Sequence, residues 1–434
     1  MKAVALLAGP ACFATMGMMA IDGLSEAAVA QETGTNWAFF DPQSGGGRSW
    51  GGSASTNRYD NSFAKQWEAN PPKGFPTLSA QNIEATKAAI KKYETIVERG
   101  GWKQVPDVMM QMGSAGSGVG LLRERLAISG DLRSNEGGFF GETYGTDLEK
   151  GVKRFQASNG LTPTGIVDRR TVAALNVPAA VRLKQLKVNL ARLQSLVNGT
   201  GKKYVIVNIP SAQIEAVENN KVVSRHAGVV GKIDRQTPLL KSTIHELNFN
   251  PVWHLPPTVI QKDLVPKGQL MSRRGQDVLA KYGIEAFGSD GRKLDTSKIN
   301  WSSSSARNLT FRQAPGPENP LGFVKINFHN GYSVYMHDSP SQNLFGRNFR
   351  AASSGCVRVS GIDQLATWLT SEQGWTHDKV AHMKKSGERF DFRLKKPVPL
   401  FFTYITAWAT EDGVIQFRRD IYNKDNVGDV ASAY

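Results

Sequence analysis

Apolar positions recur along this chain at two spacings, and the change from one to the other divides it. Between residues 78 and 197 they recur every three or four positions, the period of an amphipathic helix. Ile83, Ile90 and Ile96 form one stripe, with Ser79 placed to cap it and Gly100-Gly101 to end it. Val119, Leu122 and Leu126 form a second, stopped by Gly130-Asp131. The stretch from Leu148 to Gln156 puts Val152 and Phe155 on one face. A further helix carries Val172 and Leu175 behind Asp168, a good cap. Leu183, Leu186, Leu190 and Leu193 predict a helix over 181–197.

From Lys203 the pattern becomes that of strands. Tyr204 to Ile209 is a continuous β run, and Ile214–Val217 and Val222-Val223 flank a hairpin turn at Glu218-Asn219-Asn220-Lys221. Alternation continues over 228–233, at Val324–Ile326 and Val334–Met336, and again from Leu400 to Trp408, where Asp412-Gly413 turns the chain into Val414–Phe417. Few helices are expected here. The β pattern is broken between Pro251 and Pro315, with a helix predicted at 270–282 and four serines at 302–305. So long an excursion inside one domain is expected to be functional. The resulting fold class is α+β multidomain: a small three-helix unit at 116–180, a connecting helix at 181–202, and a mostly β domain at 203–425 with an inserted capping subdomain at about 255–310. Residues 76–115 form a helical segment packing on the body, and 426–434 a tail.

The ends of the chain read differently. Lys2 followed by an apolar or small run over 3–21, with Ala28-Val29-Ala30 before Gln31, has the form of a signal peptide over 1–30. The run is long enough to stay in the membrane as an anchor, and acylation at Cys12 is a weaker reading. Residues 31–75, rich in Gly, Ser, Asn and Pro, form a flexible linker. The 434 residues are 40% hydrophobic and 21% charged, with a formal net charge of +15. That balance supports globular cores and an anionic partner. The basic residues are dispersed rather than interleaved with aromatics, which argues against nucleic acid. Seven histidines lack metal-ligand spacing, so no metal and no cofactor is expected.

Cysteine usage narrows the chemistry. Of two cysteines, Cys12 leaves with the signal peptide, and Cys356 is then the single thiol of an exported chain. Such a thiol pairs between chains, is buried as a small hydrophobe, or is kept for chemistry. Its surroundings favour chemistry. His337 follows a short strand, Cys356 comes nineteen residues later after Ser353-Ser354-Gly355, and Arg358 lies two beyond. An imidazole can take the thiol proton, and Arg358 can lower the thiol pKa or hold a carboxylate. The Gly355 and Cys356 N–H groups are candidates to stabilise an oxyanion.

These residues resemble the L,D-transpeptidase (YkuD-like) catalytic domain, which carries a His and then an S-x-G-C-x-R string. Here those are His337 and Ser353–Arg358. Val230-Gly231-Lys232, Thr237-Pro238, Arg312-Gln313, Pro315-Gly316 and Leu321-Gly322 extend the likeness upstream. VKRFQASNGLTPTGIVDRRTVAALN (152–176) resembles a peptidoglycan-binding-like domain. Signal, binding-like domain and insertion together are similar to the long periplasmic members of the family. Two departures from shorter members are Asp338, where Gly follows the His, and Ser354, where His precedes Gly-Cys.

The resemblance implies a periplasmic peptidoglycan L,D-transpeptidase. Cys356 would be the nucleophile and His337 the base, oriented by the Asp338 backbone carbonyl. Gly355 and Ser354 would contribute backbone, and Arg358, Ser353 and Tyr335 would bind substrate. It implies peptidoglycan stem peptides and glycan as partners, with other cell wall synthesis proteins, and carbapenems as acylating agents. Hydrolysis of the same acyl-enzyme, by an L,D-carboxypeptidase or amidase, remains open. So does a wall-binding scaffold without catalysis.

Overall fold

The computed structural model describes residues 76–132 and 141–428. The segments expected as signal peptide (1–30) and linker (31–75), and the last residues of the expected tail, lie outside the described residues.

Helix α1, Ala80–Glu98, starts where Ser79 accepts a hydrogen bond from the Asn82 N–H. Helices α2 (Ser117–Ser129), α3 (Thr146–Ser158) and α4 (Arg169–Leu175) share a core of Leu122, Leu126, Leu148, Val152, Phe155, Val167 and Leu175. Gly130 ends α2 in the left-handed region, and Asp168 caps α4 by accepting from the Thr171 N–H. Helix α5, Ala179–Val197, packs along α1 through Leu186 and Ala179 against Ile90 and Tyr93.

The strands of the β domain, in chain order, are β1 (Lys203–Asn208), β2 (Gln213–Glu218), β3 (Lys221–Gly231), β4 (Leu240–Phe249), β5 (Trp253–His254), β6 (Ile284–Phe287), β7 (Thr310–Gln313), β8 (Val324–Phe328), β9 (Met336–His337), β10 (Ala351–Ser353), β11 (Val357–Val359), β12 (Phe390–Thr403), β13 (Ala407–Ala409) and β14 (Ile415–Phe417). Nine of them form one sheet, ordered β10-β3-β11-β9-β8-β4-β12-β1-β2. Because β3 also pairs with β2, the order closes on itself and leaves β10 as a branch. Closure removes the unpaired edges that an open sheet would expose.

The continuous apolar run of β1 now has its reason. Val205 and Val207 point into the closed sheet with Ile244, Leu247 and Ile326, while Tyr204 and Ile206 face outward under Leu193 and Leu78 of the helical segment. A strand buried on both faces reads as unbroken hydrophobicity rather than alternation.

The structure departs from the sequence expectation in three places. The helix predicted at 270–282 is two: α6, Val265–Ser272, and α7, Val278–Tyr282, which Asp277 caps. A turn through Arg274 and Gly275, with Gly275 at φ +67°, separates them. The last long strand begins at Phe390 rather than Leu400: Phe390-Asp391-Phe392-Arg393-Leu394 already alternates as a strand, and the pairing is bulged between Arg393 and Val398. Two helices close the sheet where few were expected: α8, Ile362–Thr370, and α9, His377–Ser386. Ile362, Leu365 and Leu369 of α8 plug the core.

The insertion is an ordered body with its own sheet, β5-β7-β6. Trp301 stacks on Phe311 at 6.0 Å, and Gly268 of α6 lies so close that a Cβ there would meet the Trp301 ring at 2.2 Å. Only glycine permits that approach.

Candidate active site

The geometry of the site follows from the register of two short parallel strands. β11 pairs with β9 so that Val357 lies beside Met336 and Arg358 beside His337. Successive side chains alternate between faces. Met336, Val357 and Val359 therefore enter the hydrophobic core, while Tyr335, His337, Cys356 and Arg358 share the opposite face.

The loop before Cys356 is held from within. Gly355 takes φ +112°, a conformation other residues rarely adopt. Ser353 is fully buried; its hydroxyl donates to the Cys356 carbonyl at 2.5 Å and accepts from the Gly355 N–H at 3.2 Å. Thr237 donates to the Gly355 carbonyl at 2.9 Å and accepts from Gly231. Ser354 accepts from Arg235 Nη1 at 2.8 Å, and the same nitrogen donates to Asp263 of the insertion at 2.7 Å. Two sequence expectations change here. The Gly355 N–H is already donated to the Ser353 hydroxyl, so it is not the free oxyanion donor expected; of the two N–H groups named from the sequence, the Cys356 N–H is the remaining candidate. Ser353 is a buried brace of the loop and not a surface for substrate.

His337 is 1% exposed, and its Nδ1 lies 2.6 Å from the Asp338 carbonyl oxygen. A carbonyl only accepts, so Nδ1 carries the proton and Nε2 keeps the lone pair. The Pro320 carbonyl also faces the ring. Burial, reinforced by the Arg358 and Lys325 charges, pushes the imidazole pKa down to about 3. The Asp338 side chain turns away and accepts from the Phe323 N–H at 3.1 Å, beside Gly322, where a Cβ would collide with it. The departure at 338 is thus accommodated by a glycine, and the orienting carbonyl is untouched.

The thiol of Cys356 is partly buried, and burial pushes its pKa up to about 11 against the lowering effects of Tyr335, Lys325 and Arg358. Its hydrogen-bond partner is Tyr335, through backbone and phenol, rather than His337. The Tyr335 ring meets the His337 ring edge-on at 5.6 Å, and the phenol also faces Trp253 at the edge of the insertion. Arg358 is 1% exposed and donates to the Ser339 hydroxyl at 3.3 Å. Its guanidinium lies under the thiol and imidazole as a fixed charge, not at the surface where a carboxylate would be clamped. Burial brings its own pKa down to about 10.

Sequence reasoning missed Arg235 and Lys325. Lys325 pairs with His337 across β8 and β9, and its ammonium lies 4.5 Å from the centre of the Tyr335 ring. The alternation Val324-Lys325-Ile326 carried that signal: two core residues with a lysine turned to the face of His337 and Cys356. Nothing in the sequence around Arg235 announced its reach. Of the other histidines, His226 is fully buried between Ser224 and the Ser360 carbonyl. Among the described residues no group of three or more His, Cys, Asp or Glu is placed to hold a metal.

Fold and site together define a mixed-sheet domain with a cysteine–histidine centre, joined to a small helical module. Residues 202–411 match the L,D-transpeptidase catalytic domain (YkuD), and residues 115–175 match the "Putative peptidoglycan binding domain". The β domain is thus similar, over nearly its whole length, to the L,D-transpeptidase catalytic domain. A curated protein of Haemophilus influenzae, "Putative L,D-transpeptidase", is 32% identical over 222 residues, covering 51% of this chain and 44% of its own length. The chain thus spans less than half of that relative. Solved structures similar to it include an L,D-transpeptidase segment from Xylanimonas cellulosilytica, at 16% identity over 69% of this chain and 98% of that one, TM-score 0.23. Another is an L,D-transpeptidase from Mycobacterium smegmatis, at 15% identity over 46% of this chain and 58% of that one, TM-score 0.22.

Proposed function

We propose that this protein is a periplasmic peptidoglycan L,D-transpeptidase, acting with Cys356 as nucleophile and His337 as base. The observation that carries the reading is the shared face of β9 and β11, which brings Tyr335, His337, Cys356 and Arg358 together. Thiol and imidazole both rest neutral, since burial raises one pKa and lowers the other. The nucleophile forms only as the thiol proton passes to His337 Nε2 while sulfur attacks the carbonyl carbon of the third stem residue. The bond to the terminal D-alanine then breaks, and its nitrogen leaves with the proton held by His337. The thioester is resolved by an amine of a second stem: His337 takes the amine proton and returns it to sulfur as the C–S bond breaks. The Asp338 carbonyl holds the ring in one tautomer throughout, and the Cys356 N–H faces the developing oxyanion. The insertion positions the donor and excludes water. Other cell wall synthesis proteins are partners of the export-side machinery in this reading.

Incubating the protein from Gln31 onward with disaccharide-tetrapeptides and weighing the products tests it. Cross-linked dimers with loss of alanine are expected. Tripeptide as the sole product would assign the acyl-enzyme to hydrolysis.

A further inference from the structure

The face of β9 and β11 that carries Cys356 continues onto the neighbouring strands. Register sets His337 beside Lys325 of β8, Lys325 beside Asn248 of β4, and Asn248 beside Asp391 of β12, so a row of polar side chains runs outward from His337. Val324 and Ile326, on either side of Lys325, enter the core, and the lysine therefore stands on the outer face. Along the row Asn248 donates to Glu246 and to Asp391, Asn327 donates to Glu246, and Arg393 donates to Glu246 at 3.3 Å. These carboxylates are taken up by their neighbours. Lys325 instead holds its ammonium 4.5 Å from the centre of the Tyr335 ring, and among the described residues no carboxylate pairs with it directly. It is half-buried, and desolvation lowers its pKa against the raising influence of Cys356, Glu246 and Asp391. An ammonium half-dried over an aromatic face gains strongly from an anion that arrives with substrate.

The other cations near the thiol have different duties. Arg358 is buried beneath it, and Arg235 is committed to Asp263 and Ser354. Lys232 stands among Arg235, Asp263 and Asp234. On the face itself Cys356, Tyr335 and Lys325 are partly exposed, while His337 and Arg358 are closed off. The Tyr335 phenol meets the sulfur and the Tyr335 ring meets the ammonium, so a group attacked by the sulfur comes within short reach of Lys325. We propose that Lys325 binds the terminal carboxylate of the donor stem and so selects stems that end in the residue being expelled. The assignment rests on the reading of Cys356 as a nucleophile toward stem peptides, and it names the residue that reads the donor's end. In that reaction the carboxylate of the leaving D-alanine is separated from the attacked carbonyl carbon only by the leaving nitrogen and its α-carbon. A stem that is amidated at its end, or longer by a residue, brings no carboxylate to that point and leaves the ammonium without its partner.

The test gives the full chain a disaccharide-tetrapeptide and the same molecule ending in D-alaninamide, and follows release of D-alanine or D-alaninamide. The parent should favour the free acid by at least about tenfold in kcat/KM. Lys325→Met keeps an apolar side chain against the Tyr335 ring and should bring that ratio close to unity, chiefly by loss on the acid. Lys325→Arg should restore most of it. Iodoacetamide alkylation of Cys356 in each variant reports the thiol separately from the substrate. Equal loss on acid and amide, matched by slower alkylation, would mean that Lys325 acts on the thiol alone and would overturn the proposal. So would a parent ratio near unity, or a ratio that collapses in Lys232→Met and survives in Lys325→Met. Should Lys325→Met not fold, Lys325→Gln is expected to show the same loss. If the parent releases no alanine, the reading of Cys356 as acting on stem peptides fails, and binding then decides Lys325 by itself. Calorimetry on Cys356→Ala should still find the acid held at least about tenfold tighter than the amide, a preference that Cys356→Ala/Lys325→Met loses. Equal binding of acid and amide by Cys356→Ala would sink the assignment of Lys325 as well.

Discussion

Arg235 Nη1 donates to the Ser354 hydroxyl at 2.8 Å while holding Asp263 at 2.7 Å, so one guanidinium joins the inserted subdomain to the residue two before Cys356. Both ion-pair partners are largely buried, at 10% side-chain exposure each. Removing the cation outright would strand a buried carboxylate at a cost of about 3–5 kcal/mol. Arg235→Lys is the sharper probe, because an ammonium keeps the charge but cannot reproduce the planar fork. The variant should fold, alkylate at Cys356 within about twofold of the parent rate, and lose about tenfold or more in cross-linking, the size expected for misplacing a reacting group. Full cross-linking activity in a folded Arg235→Lys protein would show that the link is structural only.

The resting charge state makes a second expectation. Burial raises the Cys356 thiol to about 11 and lowers His337 to about 3, so no thiolate–imidazolium pair stands ready near neutral pH. Thiolate then grows about tenfold per pH unit up to the thiol pKa. Iodoacetamide alkylation should climb steadily from pH 6 to 10 without a step near 6.5, modify Cys356 stoichiometrically, and abolish turnover. Tyr335→Phe removes one hydrogen bond to sulfur and should slow alkylation further. A plateau in rate from pH 5 upward would mean a preformed ion pair.

How much of this was legible beforehand depends on the distance over which each interaction acts. The Ser79 and Asp168 caps, the Asn219-Asn220 hairpin and the Asp412-Gly413 turn are local, and the residues that make them sit side by side in sequence. The motif around Cys356 and the His337 carbonyl contact were legible for the same reason. What was lost is long-range. The 118 or 119 positions separating Thr237 and Arg235 from their partners at Gly355 and Ser354 leave no local trace. The sequence places His337 near Cys356 as its base but not what the sulfur touches at rest, which strand register decides: His337 stands beside Arg358, and the sulfur meets Tyr335. The split of 270–282 was missed because its apolar spacing survives the turn at Gly275.

Acylation by a strained lactam would report the same nucleophile by another route. A thiol that attacks a peptide carbonyl next to a terminal D-alanine can open a carbapenem ring, giving a thioester to Cys356. Mass spectrometry of the digested protein should place the adduct on the peptide containing Cys356, and Cys356→Ala should remain unlabelled. Equal labelling of the two proteins would remove Cys356 from the nucleophile's role. Arg235→Lys should acylate at a rate close to the parent, since the lactam is small and does not depend on the insertion for positioning.

Acid stability offers a last test, independent of catalysis. His226 is fully buried, with the Ser224 hydroxyl at 2.9 Å from Nε2 and the Ser360 carbonyl at 2.9 Å from Nδ1. Desolvation brings its pKa down to about 4 in the fold, from an ordinary value near 6.5. A base whose folded pKa is depressed takes up its proton in the unfolded chain first. Stability is therefore complete above about pH 6.5 and falls as the pH drops, at about 1.4 kcal/mol per unit, until the folded group also titrates near 4. His337 acts in the same direction down to about 3. Between pH 6.5 and 4, His226 alone should account for a loss of about 3 kcal/mol. His226→Gln, which keeps polar contacts to Ser224 and Ser360 but cannot ionise, should be less stable than the parent at pH 8. Its stability should fall less steeply below pH 6.5, and urea midpoints taken from pH 8 to 4 would measure both slopes. Parallel curves for the two proteins would mean that His226 is already charged in the fold.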